Sequence, residues 1–433
     1  MILHKKIQEQ LPAWRKRVTT LLKEHGDKKV SDVTIRQIYG GMRGVPSLVT
    51  DISSVDPNKG IRFREYSLPE VIEKLPKPEG AEMPYVGGLY YLLMIGELPT
   101  KEQALEVESS WATRSHVPRY LFKVLRDMPE NAHPMALLSQ AILTLQSDSE
   151  FAKRYTEGMD KMDYWEPALD DSLHMTSKLG VIAAFIYRLK YGDRGESNYD
   201  PKLDYGANFA QMMGFDDENF ADAVRLYFIL HSDHESGNVS AHTMHLVGSS
   251  LSDIYYAFSA GMNGLAGPLH GLANQNFLKF LMGVQKEFNG VPTEKQVEKY
   301  CWDTLNSGKV IPGFGHAVLR IPDPRYTAQF KYAQEHFPED EFFQIVSLMD
   351  KVVPKVLQEQ GKAKNPWPNV DAISGTLLYH YGITQFDFYT VFFGVGRALG
   401  VTANYVWARA LGQPIERPKS FTTKMLEDLV VAK

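Results

Sequence analysis

Four histidines, His231, His234, His242 and His245, crowd one stretch of the chain. Histidines and acids three residues apart can share a helix face and hold a metal. They can equally be satisfied core or surface residues, or bind an anionic substrate. No HExxH pattern occurs and no second acidic ligand stands out, so metal ligation is the weakest of these readings. Two further histidines lie among glycines: His270 in Asn263-Gly-Leu-Ala-Gly-Pro-Leu-His270-Gly, and His316 in Pro312-Gly-Phe-Gly-His316-Ala-Val-Leu-Arg320. Glycine lets the backbone approach a ligand closely. Gly-rich loops near arginines, here Arg320 and Arg325, suit phosphates and carboxylates. The second loop is neither a Walker loop nor a dinucleotide fingerprint.

Asp371 closes the stiff segment Asn365-Pro-Trp-Pro-Asn-Val-Asp371, where prolines limit the chain's freedom; taken alone it reads as a turn or cap residue. Arg397 stands between Val391-Phe-Phe-Gly-Val-Gly and Ala398-Leu-Gly-Val. An unpaired buried guanidinium is costly, so it must find an anion, either a structural carboxylate or a substrate's. Arg417, in Glu416-Arg417-Pro418, reads as a surface residue. There is no GxSxG, and Cys301 lies in a helical stretch, so serine and cysteine nucleophiles lack their usual settings. Two loop histidines, one loop aspartate and several arginines suit proton abstraction beside a carbonyl of an anionic substrate.

These groups must be positioned mostly by helices. Helical periodicity predicts Leu105–Leu125, His133–Leu145, Leu173–Tyr191, Asp222–His231, Thr293–Thr304, Pro338–Gln358 and Thr390–Leu411. Gly192, Gly308, Gly361 and Gly412 stand at helix stops. Near the start, Ile7, Leu11, Trp14, Val18 and Leu22 form an apolar stripe, the mark of a packed amphipathic helix. Gly60–Leu68 is the best strand candidate, a short hairpin piece. The fold class expected is therefore all-α. Two irregular stretches, Gly261–Gly271 and Lys362–Ser374, interrupt the helices; such loops are where function concentrates, and a domain boundary is expected near the first.

The 433 residues are 44% hydrophobic and 23% charged, with a net charge of -5. That is ordinary for a folded chain with a large core, and too near neutral to imply nucleic-acid or membrane partners. One cysteine excludes an intramolecular disulfide framework and fits a reducing compartment. The longest apolar region, Phe388 to Ala410, is interrupted by Arg397 and Arg409 and reads as a buried helix rather than a membrane span. The start of the chain reads as folded protein rather than a targeting segment.

Several segments, in their order and spacing, resemble citrate synthase: His231-Ser-Asp-His234-Glu, Gly264-Leu-Ala-Gly-Pro-Leu-His270-Gly, Pro312-Gly-Phe-Gly-His316-Ala-Val-Leu-Arg320, Asp323-Pro-Arg325-Tyr, Asn365-Pro-Trp-Pro-Asn-Val-Asp371 and Glu416-Arg417-Pro. Tyr39-Gly-Gly-Met-Arg43-Gly and Gly60-Ile-Arg-Phe-Arg extend the likeness over nearly the whole chain. It is similar to the longer type found in mitochondria and some bacteria.

The resemblance implies an all-α homodimer. A large domain of residues 1–272 and 377–433 and a small one of residues 273–376 would face each other across an active-site cleft. The implied reaction condenses acetyl-CoA with oxaloacetate and hydrolyses the citryl thioester, with no cofactor and no metal. Asp371 is then expected to take the methyl proton, His270 to stabilise the enolate oxygen, and His316 to polarise the ketone. His234, Arg325 and Arg397 would clamp oxaloacetate, joined by Arg417 from the partner subunit. CoA would lie along Lys309–His316, with Arg43, Arg320, Lys364 and Lys161 near it. Lys161 stands where an arginine is usual, and Ile373 where a polar residue is. The setting expected is cytoplasmic if Met1 is a native bacterial start, and otherwise the mitochondrial matrix. A 2-methylcitrate synthase using propionyl-CoA, a metal-dependent hydrolase built on His231–His245 and a non-catalytic acid binder are the rival readings.

Overall fold

The computed structural model describes residues 1–431, of which most are helical. At its centre two long helices, Trp165–Tyr191 and Phe386–Ala410, pack against each other and are buried along almost their whole length. A helix apolar on every side belongs inside a large core, as expected for the Phe388–Ala410 region. Among the described residues no helix is long and apolar enough to cross a membrane.

The predicted helices appear as His133–Leu145 (observed Pro134–Thr144), Asp222–His231 (Glu218–His231), Thr293–Thr304 (Glu294–Asn306) and Pro338–Gln358 (Glu341–Gln360). Gly361 closes the last of these in the left-handed region, the conformation that glycine adopts without strain. The expected helix Leu105–Leu125 is two helices, Lys101–Arg114 and Arg119–Arg126. Pro118 divides them, because the residue before a proline avoids helical geometry. In the first helix, Ile2–His25, Leu3, Ile7 and Leu11 are buried, but the stripe does not continue inward: Leu22 is 65% exposed. The hairpin piece is a three-stranded antiparallel sheet, Ser53–Asp56, Gly60–Phe63 and Tyr66–Ser67. Its first strand is too short and polar to show an alternating pattern.

The irregular stretch expected over Gly261–Gly271 is shorter. The helix Ile254–Leu265 runs through Gly261 and Gly264 and packs on the helix Val239–Ser249. A Cβ at Gly261 would stand 2.9 Å from the Ser240 carbonyl oxygen, so these glycines permit close helix contact rather than a loop. The helices from Ala273 onward, Ala273–Phe288, Glu294–Asn306, Pro324–His336, Glu341–Gln360 and Asp371–His380, pack chiefly on one another. The expected boundary at Ala273 coincides with a helix start, while Thr376 lies within Asp371–His380. Residues 432–433 of the expected large domain lie outside the described residues.

Candidate active site

The loop His270 reaches the helix Val239–Ser249. The Ser240 backbone N–H donates to His270 Nε2 at 3.3 Å, and the Ser240 hydroxyl lies 2.9 Å from the same nitrogen. Ser240 is in the first turn, where backbone N–H groups lack helical partners. A backbone amide can only donate, so Nε2 is the lone-pair nitrogen and the ring proton sits on Nδ1. Burial, with the nearby charge of Arg397, lowers the His270 pKa to about 4.

His316 follows the same logic with its nitrogens exchanged. Its Nδ1 accepts the backbone N–H of Val318 at 3.0 Å and of Leu319 at 2.9 Å. The proton therefore sits on Nε2. Burial, then the Arg325 charge, lowers the pKa to about 4. The His316 ring lies 5.3 Å from the ring of His234. Both His270 and His316 are thus neutral donors near pH 7.

Asp371 is not a loop residue: it opens the helix Asp371–His380. Asn369 fixes it there. The Asn369 side-chain oxygen accepts the Asp371 N–H at 3.0 Å, and its amide donates to the Gly315 carbonyl at 2.9 Å. Two backbone bonds lace the same segments together, Gly315 N to Trp367 O and Asn369 N to Gly313 O, each 2.9 Å. The approach needs glycine. Gly313 has φ +76°, and a Cβ on it would meet Phe277 and Ala372 at 3.0 Å or less. His316 and Asp371 are therefore held in one unit. Burial raises the Asp371 pKa to about 6, partly countered by Arg325 and reinforced by Asp323.

The arginines differ. Arg325 donates to Asp323 through Nε at 3.0 Å and Nη2 at 2.6 Å. Asp323 was not singled out from sequence, although Asp-Pro before a helix is a start signal. Arg397 donates only Nε, to the His231 carbonyl at 3.1 Å, and lies over Phe393 at 4.9 Å. No carboxylate pairs with it among the described residues, and its Nη1 is buried without a partner, as is His234 Nε2. Burial lowers the Arg397 pKa to about 10, with Asp233 opposing that shift and Arg325 adding to it. Phe393 packs against His231, His270 and Arg397 alike; sequence showed it only as an apolar neighbour.

Arg43 and Lys364, with Lys309, Lys362 and His316, line a cavity of about 630 Å³. Arg320 does not: its guanidinium folds back on the Val318 and Leu319 carbonyls. Lys161 lies elsewhere, beside Gly412. Arg417 is exposed. The four crowded histidines separate, His231 and His234 to the site and His242 and His245 to Glu416. Among the described residues no group of three or more His, Cys, Asp or Glu side chains is arranged so that it could hold a metal ion.

Neutral histidine donors, a carboxylate whose pKa approaches neutrality and an unpaired buried guanidinium form a set for enolate chemistry on an anion. Comparison with known proteins agrees. Residues 41–419 match the family model for the citrate synthase C-terminal domain. The chain is 52% identical to a probable mitochondrial citrate synthase of Glossina morsitans morsitans, over 97% of this chain and 91% of that one. It is 50% identical to a mitochondrial citrate synthase of Xiphias gladius, over 99% and 91%. The citrate synthase structure from Pyrobaculum aerophilum superposes with a TM-score of 0.77 at 26% identity, covering 89% of this chain and 92% of that one. The chain belongs to the citrate synthase family, an all-α family of acyl-transferring enzymes.

Proposed function

We propose that the chain condenses acetyl-CoA with oxaloacetate, with Asp371 as base and His270 and His316 as neutral donors. Asp371 removes a methyl proton beside the thioester carbonyl, and a pKa of about 6 makes it a stronger base than an exposed aspartate. His270 Nδ1–H stabilises the enolate oxygen as charge develops. His316 Nε2–H polarises the oxaloacetate ketone, and the enol carbon attacks it. Water then hydrolyses the citryl thioester, releasing citrate and CoA. His234, Arg325 and Arg397 hold the oxaloacetate carboxylates. The observation that carries this reading is the tautomer set at both histidines by backbone N–H groups, which leaves each with one free donor.

The cavity along Lys309–His316 fits CoA, with Arg43 and Lys364 near its phosphates; Arg320 and Lys161 would have to move or come from another chain to join them. Residues 273–376 act as the small domain and close over the substrates. The active form is a homodimer in which Arg417 completes the partner's oxaloacetate site. Exposed apolar side chains support it: Leu22 and Tyr39 near one end, Leu246 and Tyr256 on neighbouring helices, and Phe421 and Leu429 near the other end. The names of both relatives support a mitochondrial matrix setting.

The test is release of free CoA thiol from acetyl-CoA with and without oxaloacetate, with propionyl-CoA alongside. Release that requires oxaloacetate and is faster with acetyl-CoA is the expected result. Release independent of oxaloacetate, or none, would overturn the reading.

A further inference from the structure

Between the long helix Phe386–Ala410 and Thr422 the chain has no regular secondary structure. Among the described residues, Glu416 makes all the hydrogen bonds and ion pairs that tie residues 414–421 to the rest of the chain. Its backbone N–H donates to Ser249 Oγ at 3.0 Å. One carboxylate oxygen lies 3.2 Å from His242 Nε2, and the other 3.2 Å from His245 Nε2. His242, His245 and Ser249 are spaced three and four apart, one face of the helix Val239–Ser249. Arg417 follows directly and is exposed, and Pro418 after it favours extended backbone. The same helix, at its first turn, fixes the tautomer of His270.

We propose that Glu416 is a positioning residue for Arg417. The His242–Glu416–His245 bridge anchors an otherwise untied segment, so that the adjacent guanidinium is presented at a fixed place. The helix Val239–Ser249 then serves two sites of a dimer, orienting His270 in its own and Arg417 in the partner's. This rests on the reading of Arg417 as an oxaloacetate ligand. It adds a reason why a side chain on an irregular segment can bind with precision. Preorganisation lowers the ordering cost of binding.

The test is steady-state kinetics on the full dimer for Glu416→Ala, Glu416→Gln, Arg417→Ala and the double variant Glu416→Ala/Arg417→Ala. Arg417→Ala is expected to raise the KM for oxaloacetate about 100-fold. Glu416→Ala should raise it about tenfold, with kcat and the KM for acetyl-CoA within about twofold of the parent, and Glu416→Gln should recover part of the loss. In the double variant the Glu416 change should add nothing to Arg417→Ala, because coupled residues are not additive. A multiplied effect in the double variant would overturn the positioning role. So would a Glu416→Ala protein that melts lower but keeps its KM. An unchanged KM in Arg417→Ala would instead show that the Arg417 reading itself has failed. If Glu416→Ala does not fold, His242→Gln/His245→Gln in the presence and absence of Arg417→Ala makes the same comparison.

Discussion

Two buried arginines face opposite surroundings. Arg225 gives each guanidinium nitrogen to a carboxylate: Nε to Asp204 at 3.0 Å, Nη2 to Asp204 at 2.6 Å and Nη1 to Asp222 at 2.7 Å. The acids are satisfied in turn, Asp222 by the Glu82 and Met83 amides and Asp204 by the Gly206 and Ala207 amides. Nearby, the buried Glu108 accepts from Gly87 and Tyr205. Burial alone would lower the Arg225 pKa, but Asp204 and Asp222 outweigh it and hold it above the usual value. Arg397 has one carbonyl, no paired acid and a buried nitrogen with no partner. The cavity of about 930 Å³ beside Arg225 is larger than the one beside His316, yet nothing polar in the Arg225 network waits for a ligand. Size does not mark the site here; unfinished hydrogen bonding does, since buried polar groups are normally paired.

Breaking each region should therefore have different consequences. The largest effect is expected from Asp371→Asn, which keeps shape and removes the proposed base. Turnover should fall by about 10³- to 10⁴-fold with oxaloacetate affinity kept, read by thiol release and by titration of the ligand. Near-normal turnover would remove Asp371 from the mechanism.

Arg225→Met should cost about 3–5 kcal/mol of stability, because it strands Asp204 and Asp222 in the core. Arg397→Met should cost less than about 1.5 kcal/mol, having no paired acid to strand. Denaturant unfolding of the two proteins compares them directly; equal losses would erase the distinction drawn between the two arginines.

The pH profile sharpens the same contrast. As the proposed base Asp371 must be ionised, and its pKa is raised to about 6, so kcat/KM should fall as pH drops through about 6. His270 and His316 stay neutral until about 4. A single acid limb nearer 4 would contradict the raised Asp371 pKa.

The smallest change is expected at the surface. Lys364→Ala or Arg43→Ala should raise the KM for acetyl-CoA about two- to fivefold and weaken its dependence on salt, as exposed charge contacts contribute little.

Much of this was legible before the fold was known, and for identifiable reasons. Helices such as Phe386–Ala410 carry strong periodicity or long apolar runs, and Gly-flanked histidines announce close backbone approach. Pairwise relations were not legible. That Asp323 occupies half of Arg325, that Asn369 joins the His316 loop to Asp371, and that Ser240 sets the His270 tautomer all depend on which segments meet in space. Gly261 and Gly264 misled because glycine serves helix contact as readily as it serves loops. Asp371 read as a loop residue because the prolines before it hid the helix that begins there.

The unpaired Arg397 guanidinium is proposed to await a substrate carboxylate. Titration calorimetry of oxaloacetate into the parent protein and Arg397→Met tests it most directly. Binding weakened by about 100-fold or more, in a variant that unfolds at nearly the parent's denaturant midpoint, is the expected result. Unchanged affinity would contradict it and return Arg397 to the core as a structural residue.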